Sequence, residues 1–160
     1  ILATPLGVGE VVMAEIAYAA LKSFMAGCAV LLVVWLMDLV DSPAALAIPL
    51  LCALCGLIFG AMAVLVSALS PSYDFFNYYF TLVLSPMLLF AGIFFPLDQL
   101  PAWAQTAAQF SPVTHATSVA HALFAGRLDT SFALHGGALL LAALLPLWPA
   151  FHLFRRRLIK

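Results

Sequence analysis

Apolar residues run along this chain in long stretches, not in the alternating or three-and-four spacing of half-buried elements. A helix needs roughly 20 apolar residues to cross about 30 Å of hydrocarbon at 1.5 Å per residue. Four stretches meet that length, at about 17–37, 45–69, 75–96 and 133–154. The first carries Lys22 near its start, where the aliphatic stem can carry the ammonium to the interface. The second lies within 42–73, where 32 consecutive residues hold no formal charge, with Pro43 outside the span and Pro49 in its first turns. The last ends at Arg155. A lipid-exposed strand would leave backbone groups unpaired, so the pattern predicts an all-α polytopic transmembrane bundle of about four spans. Pro86, Pro146 and Pro149 fall in or near spans and predict kinks that neighbouring helices re-satisfy.

Two segments are too polar to span. Residues 1–16 open with Thr4, Pro5, Gly7 and Gly9, then place Glu10 and Glu15 among Val11, Val12, Met13 and Ile16. That pattern predicts a cytoplasmic interfacial helix running into the first span. Residues 97–131 are semi-polar and rich in small residues, with helical pieces expected at about 101–110 and 113–125. Asp98 is placed to start the first piece and Gly126 to end the second. Trp103 and Phe110 suit the headgroup zone. The segment is expected to form a re-entrant or interfacial helical hairpin on the outer side.

Composition strengthens the membrane reading. The chain is 66% hydrophobic and 8% charged, with a mean hydropathy of +1.14. A soluble domain usually carries about 25% charged residues. No basic stripe suggests nucleic acid. Arg155, Arg156, Arg157 and Lys160 at the end predict a cytoplasmic C-terminus, and four spans then place the start of the chain in the cytoplasm too. Lys22 agrees, and the 38–43 link, with Asp38 and Asp41, would face outside. Arg127 on the outside is the exception. Cys28, Cys52 and Cys55 are odd in number and sit in apolar runs, so they read as packing residues and not as a disulfide framework, although Cys52 and Cys55 have CxxC spacing. The chain opens on Ile1 and shows no signal-peptide pattern, so further spans are expected to precede it.

No catalytic or metal-binding set assembles from the spacing. His115 and His121 are six apart, on different faces of a helix, while His135 and His152 fall at opposite ends of the last span. These read as interfacial or hydrogen-bonded histidines. The acidic residues all fall at span ends or in loops, so no mid-membrane charge suggests ion coupling. The energy for any transport is then expected from elsewhere. Gly56 and Gly60 form a GxxxG motif that lets another helix approach, for packing or dimerisation. Asn77, Tyr78 and Tyr79 begin the third stretch, either lining a polar translocation path or forming an interfacial belt. No GxxxxGK[ST] phosphate loop is present, so the chain is not expected to bind ATP.

One series of motifs is more specific. Ser72-Tyr73-Asp74-Phe75-Phe76-Asn77-Tyr78 is followed by Ser85-Pro86-Met87-Leu88-Leu89-Phe90-Ala91-Gly92-Ile93-Phe94-Phe95-Pro96, then Leu100-Pro101 and Pro112-Val113-Thr114-His115. This resembles the permease subunits of type-2 ABC exporters, and within them the nodulation protein J group. There, a span ending [FL]-x-[SA]-G-x-[FLY]-[FY]-P precedes an outer helical hairpin, a Pro-[LV]-[TS]-[HY] element and a final span with a basic end. Gly92, Phe95, Pro96, Pro112 and His115 carry that signature here. Leu2-Ala3-Thr4-Pro5-Leu6 resembles the family's cytoplasmic linker before its third span. The resemblance implies the last four spans of a six-span permease in a bacterial inner membrane. It implies a separate NodI-like ABC ATPase that holds ATP and magnesium, contacted through Pro5, Glu10 and Glu15. A second permease copy would complete a homodimer. The chain itself would hold no cofactor and would not be an enzyme. The implied cargo is a lipo-oligosaccharide or polysaccharide, such as a lipo-chitooligosaccharide. Export of drugs or other polysaccharides is the alternative within transport. A membrane enzyme acting on lipids and a structural subunit are the alternatives outside it.

Overall fold

The computed structural model describes residues 7–40, 42–70, 72–94 and 97–158, the side chains of Val8, Tyr73 and 147–158 excepted. Pro5, Phe95, Pro96 and Lys160 lie outside the described residues. Among the described residues every regular element is helical.

Helix α1 runs unbroken over Val8–Leu36, 29 residues or about 44 Å. Gly7 caps it in extended conformation, and the Glu10 carboxylate reaches back to accept from the Gly7 amide at 2.8 Å. The helix that begins at Val8 runs into the first span without a break. No residue between Gly9 and Leu36 interrupts the helix. Val12 and Ile16 are buried with Ala61 of the next helix, so the first turns pack along a neighbour. At the far end Asp38 takes the left-handed conformation, with φ of 57°. Its amide donates to Trp35 O and that of Leu39 to Val34 O, the paired bonds that close a helix after a left-handed residue.

A 3-10 turn at Pro43–Ala47 leads into helix α2, Ile48–Leu69. Ser42 Oγ accepts from the Ala44 amide at 3.2 Å, and Pro49 sits in the first turn, where its missing N–H costs no intrahelical bond. Helices α1 and α2 pack intimately. A Cβ on Gly56 would stand 2.8 Å from Ala19 O and Ala20 Cα, and one on Gly60 would stand 2.9 Å from the Ala19 methyl. Gly27 of α1 lies in the same way against Cys52 and Pro49. The GxxxG surface is thus filled by the chain's own first helix.

The expected third span, 75–96, is helical over Tyr73–Leu89 but is not regular α-helix throughout. Helix α3 covers Tyr73–Tyr79, a π-helical turn covers Phe80–Leu84, and helix α4 covers Ser85–Leu89. Pro86 supplies the reason, since it has no N–H to donate and its ring crowds the carbonyl four residues back. The widened turn lets the Ser85 amide and its Oγ both donate to Phe80 O, the latter at 3.1 Å. The chain then turns at Gly92, with φ of 79°.

Two further helices form the hairpin, α5 over Ala102–Gln109 and α6 over Pro112–Ala125. Asp98 does not cap α5. It lies in a 3-10 turn at Leu97–Gln99, and α5 starts after Pro101. Gly126 does end α6, at φ of 67°. Helix α7, Thr130–Leu158, starts under Asp129, whose carboxylate accepts from the Phe132 amide at 3.2 Å. It continues as helix through Pro146 and Pro149.

The main core joins the start of α2, the end of α6 and the first half of α7, through Ile48, Ile58, Val119, Leu123 and Leu139. Large apolar side chains elsewhere are exposed, such as Leu32, Trp35 and Leu36 on α1 and Leu141 and Leu145 on α7. Among the described residues two helical stretches, Gly9–Leu36 and Pro43–Leu69, are long and apolar enough to cross a membrane, and Thr130–Pro146 is a shorter apolar stretch.

Candidate functional site

Three regions hold the residues singled out by sequence. The first is the start of α1. Glu10 and Glu15 are both exposed, Glu10 opposite the face that buries Val12 and Ile16 and Glu15 on its flank. The second is α3, where Asn77 and Tyr78 are exposed and Tyr79 is half-buried. The third is the hairpin and its junctions, where most of the specific polar geometry lies.

At that third region, the Trp103 and Phe90 rings meet edge-to-face, with centroids 6.0 Å apart and planes at 73°, bringing α5 against the chain after α4. Gln105 Nε2 donates to Leu100 O at 2.8 Å and folds the approach to the hairpin onto α5. Thr117 Oγ1 donates to Ala91 O at 2.7 Å, tying α6 to the turn at Gly92. Pro112 takes the first position of α6, where its fixed φ suits a helix start. Gly126 sits against Ser42, since a Cβ there would be 2.8 Å from Ser42 Oγ. The end of the hairpin therefore meets the connection between α1 and α2.

His115 lies at the centre of this junction. Its Nε2 is 2.8 Å from Gln109 O, and its Nδ1 is 2.7 Å from Nδ1 of His135 on α7. A carbonyl only accepts, so His115 carries its proton on Nε2 and offers a lone pair at Nδ1. His135 Nδ1–H then donates to it. The sequence reading took both as interfacial or hydrogen-bonded histidines and did not pair them with each other. The signal that joins them is their near-symmetry about the turn, eleven residues before Gly126 and nine after it. That symmetry becomes visible only once α6 and α7 are known to lie side by side.

Three clefts surround these elements, each largely apolar. The largest of the three, about 670 Å³, lies between the end of α1 and the start of α2, lined by Cys28, Leu32, Trp35, Val40 and Leu46. A second, about 430 Å³, opens between α1, α2 and α6, lined by Ser23, Gly27, Cys52, Cys55, Ala116 and Thr117. A third, also about 430 Å³, is walled by Met62, Met87, Phe90, Trp103, Phe110 and Ser111. Asn77, Tyr78 and Tyr79 line none of these three. The cysteines are free thiols. Among the described residues no group of three or more His, Cys, Asp or Glu is placed to hold a metal ion.

The family model for the ABC-2 type transporter matches residues 1–124. The chain belongs to that family. It is accordingly a membrane protein, which accounts for the apolar faces of α1 and α7. It is similar to proteins named nodulation protein J. It is 37% identical to that of Rhizobium leguminosarum bv. trifolii over 98% of this chain and 60% of the relative. The Sinorhizobium fredii relative is 38% identical over 99% of this chain and 60% of its own length. For that of Bradyrhizobium diazoefficiens the figures are 38%, 100% and 61%. The chain thus spans about three-fifths of the length of these relatives. No solved structure matches it.

Proposed function

We propose that this chain is the membrane-spanning permease portion of an ATP-driven exporter in a bacterial inner membrane, with ATP and magnesium held on a separate ATPase subunit. The observation that carries the reading is the family match over residues 1–124, on a chain whose helices supply no phosphate loop of their own. In this reading the spans number four, both ends are cytoplasmic, the hairpin faces outward, and a second copy completes the assembly.

The geometry supports a mechanical role for α1. A continuous helix of 29 residues moves as a rod. A push delivered near Glu10 and Glu15 is therefore felt at Trp35, beside the largest of the three clefts. The α1–α2 contact is stiff because glycine backbone lies against backbone. Rigid-body movement of packed helices is a known route between two states of a transporter.

The cargo is proposed from the relatives' name and the character of the clefts. Apolar walls suit an acyl chain, and Trp103, Phe90 and Phe110 offer ring faces to sugar. A lipo-oligosaccharide joins both chemistries, and a polysaccharide or drug exporter is the neighbouring reading. The test is co-purification of the full-length protein with an ABC ATPase, followed by hydrolysis measured in proteoliposomes. A lipo-chitooligosaccharide is expected to stimulate hydrolysis several-fold. Stimulation by drugs alone moves the cargo to the neighbouring reading, and failure to bind any ATPase overturns the exporter.

A further inference from the structure

We propose that the contact between His115 and His135 is a proton-operated latch, which holds the α5–α6 hairpin against α7 and releases it when both rings are protonated. The inference does not rest on the export reading. It follows from where the protons can go.

In the neutral pair the bond runs from His135 Nδ1–H to His115 Nδ1 at 2.7 Å, while His115 Nε2–H is committed to Gln109 O at 2.8 Å. The first added proton enters at His135 Nε2. That ring becomes an imidazolium and still donates from Nδ1, so the bond persists and gains charge assistance. The second proton has one place to go, the Nδ1 of His115 that accepts the bond. Two N–H groups then point at one another, and two cations stand with ring centroids 5.0 Å apart. Like charges at that separation repel, and they do so more strongly in an apolar surround than in water.

The surroundings offer no acid to offset this. Helix α5 and the 3-10 turn at Pro43–Ala47 carry no titratable side chain. Helix α2 contributes Cys52 and Cys55. Helix α1 carries Glu10, Glu15, Tyr18, Lys22 and Cys28, and α6 adds His121. Arg127 and Asp129 lie in the turn between α6 and α7, and Asp98 precedes α5. Among the described residues the two rings bond only to each other and to Gln109 O. The hairpin's other ties, Thr117 to Ala91 and Trp103 to Phe90, run to the chain after α4 and not to α7. Loss of the histidine bond therefore leaves the first turn of α6 and the α5 end of the hairpin without a polar tie to α7, while packing from Ala116 through Val119 to Leu123 keeps the rest of α6 in the core.

Spin labels at Phe110 and Leu145, both exposed, report the separation of hairpin and helix in the full-length protein in lipid nanodiscs, with the native cysteines replaced by alanine. The first proton leaves the bond in place and its charge disfavours the second, so measurements run from about pH 8 down to about pH 4, well below the ordinary histidine value of about 6.5. The parent protein is expected to show a short, narrow distance at the higher pH and a longer, broader one at the lower. H115Q keeps an amide oxygen to accept from His135 and an amide N–H for Gln109 O, but takes up no proton. It is expected to stay closed at both values. H135F removes the donor and is expected to be open at both. A parent distance that ignores pH, an H115Q variant that opens as the parent does, or an H135F variant that stays closed would each overturn the latch.

Discussion

At the scale of single residues, the fold depends on a few positions where a side chain, or its absence, is dictated by backbone geometry. Gly56 and Gly60 look alike in sequence to Gly136 and Gly137, since all lie in apolar helices. The structure separates them. A Cβ on Gly56 meets α1 backbone at 2.8 Å, whereas one on Gly136 meets nothing within 4 Å. Gly56→Ala is therefore expected to push α1 from α2 and cost about 1–3 kcal/mol, as overpacking does. Gly136→Ala is expected to be neutral or to stabilise by up to about 1 kcal/mol, through helix propensity. Unfolding in mild detergent compares them, and equal effects would show that the two helices do not pack this closely. Asp38 gives a second contrast. Its φ of 57° is one that glycine adopts freely and a β-branched residue resists. Asp38→Val is expected to destabilise by about 1–2 kcal/mol, with Asp38→Gly close to neutral in the same assay.

At the scale of elements, what could be read in the sequence divides along a physical line. Span length follows from bilayer thickness, so the apolar runs over about 17–37 and 45–69 were legible as helices, while the union of the first with residues 8–16 in one rod was not fixed by span length. Turn chemistry made the hairpin legible as well, because Gly126 can only favour a stop there. The irregularity at 80–84 was legible as a kink near Pro86 but not as a π turn. Which register a freed carbonyl takes depends on the donors left nearby, and Ser85 supplies two to Phe80 O. Ser85→Ala removes one of them and is expected to cost about 1 kcal/mol. Pro86→Ala restores an N–H and is expected to return Phe80–Leu84 to regular α-helix. Because a π turn holds one extra residue, that change rotates α3 relative to α4. Cysteine accessibility along 75–84 reads the rotation directly, and an unchanged pattern would mean that Pro86 is not its cause. The joining of His115 to His135 was not legible at this scale, because it needs the packing of two elements and not the pattern of either.

At the scale of the whole molecule, the elements determine a topology that the charges then orient. Helices α1 and α2 are antiparallel, so Gly7 and Ser70 share one end of the pair and Asp38 and Ser42 the other. Gly126 touches Ser42, which places the end of the hairpin at that second end. Helix α7 begins just beyond Gly126 and packs along α2 through Leu139 and Ala143, so its length carries residues 155–157 toward the first end. The three arginines there thus belong on the same side as Glu10, and clustered arginine favours the cytoplasm. In the orientation proposed above the hairpin faces outward, with exposed Trp103 and Phe110 at its surface. An impermeant maleimide added to intact cells is expected to label Phe110→Cys in a cysteine-free background, and to label Glu10→Cys only after permeabilisation. Labelling of both from outside would break the antiparallel arrangement of the bundle. Labelling of Glu10→Cys alone would keep the bundle and invert it, leaving the arginines outside and the site proposed for the ATPase on the wrong face of the membrane.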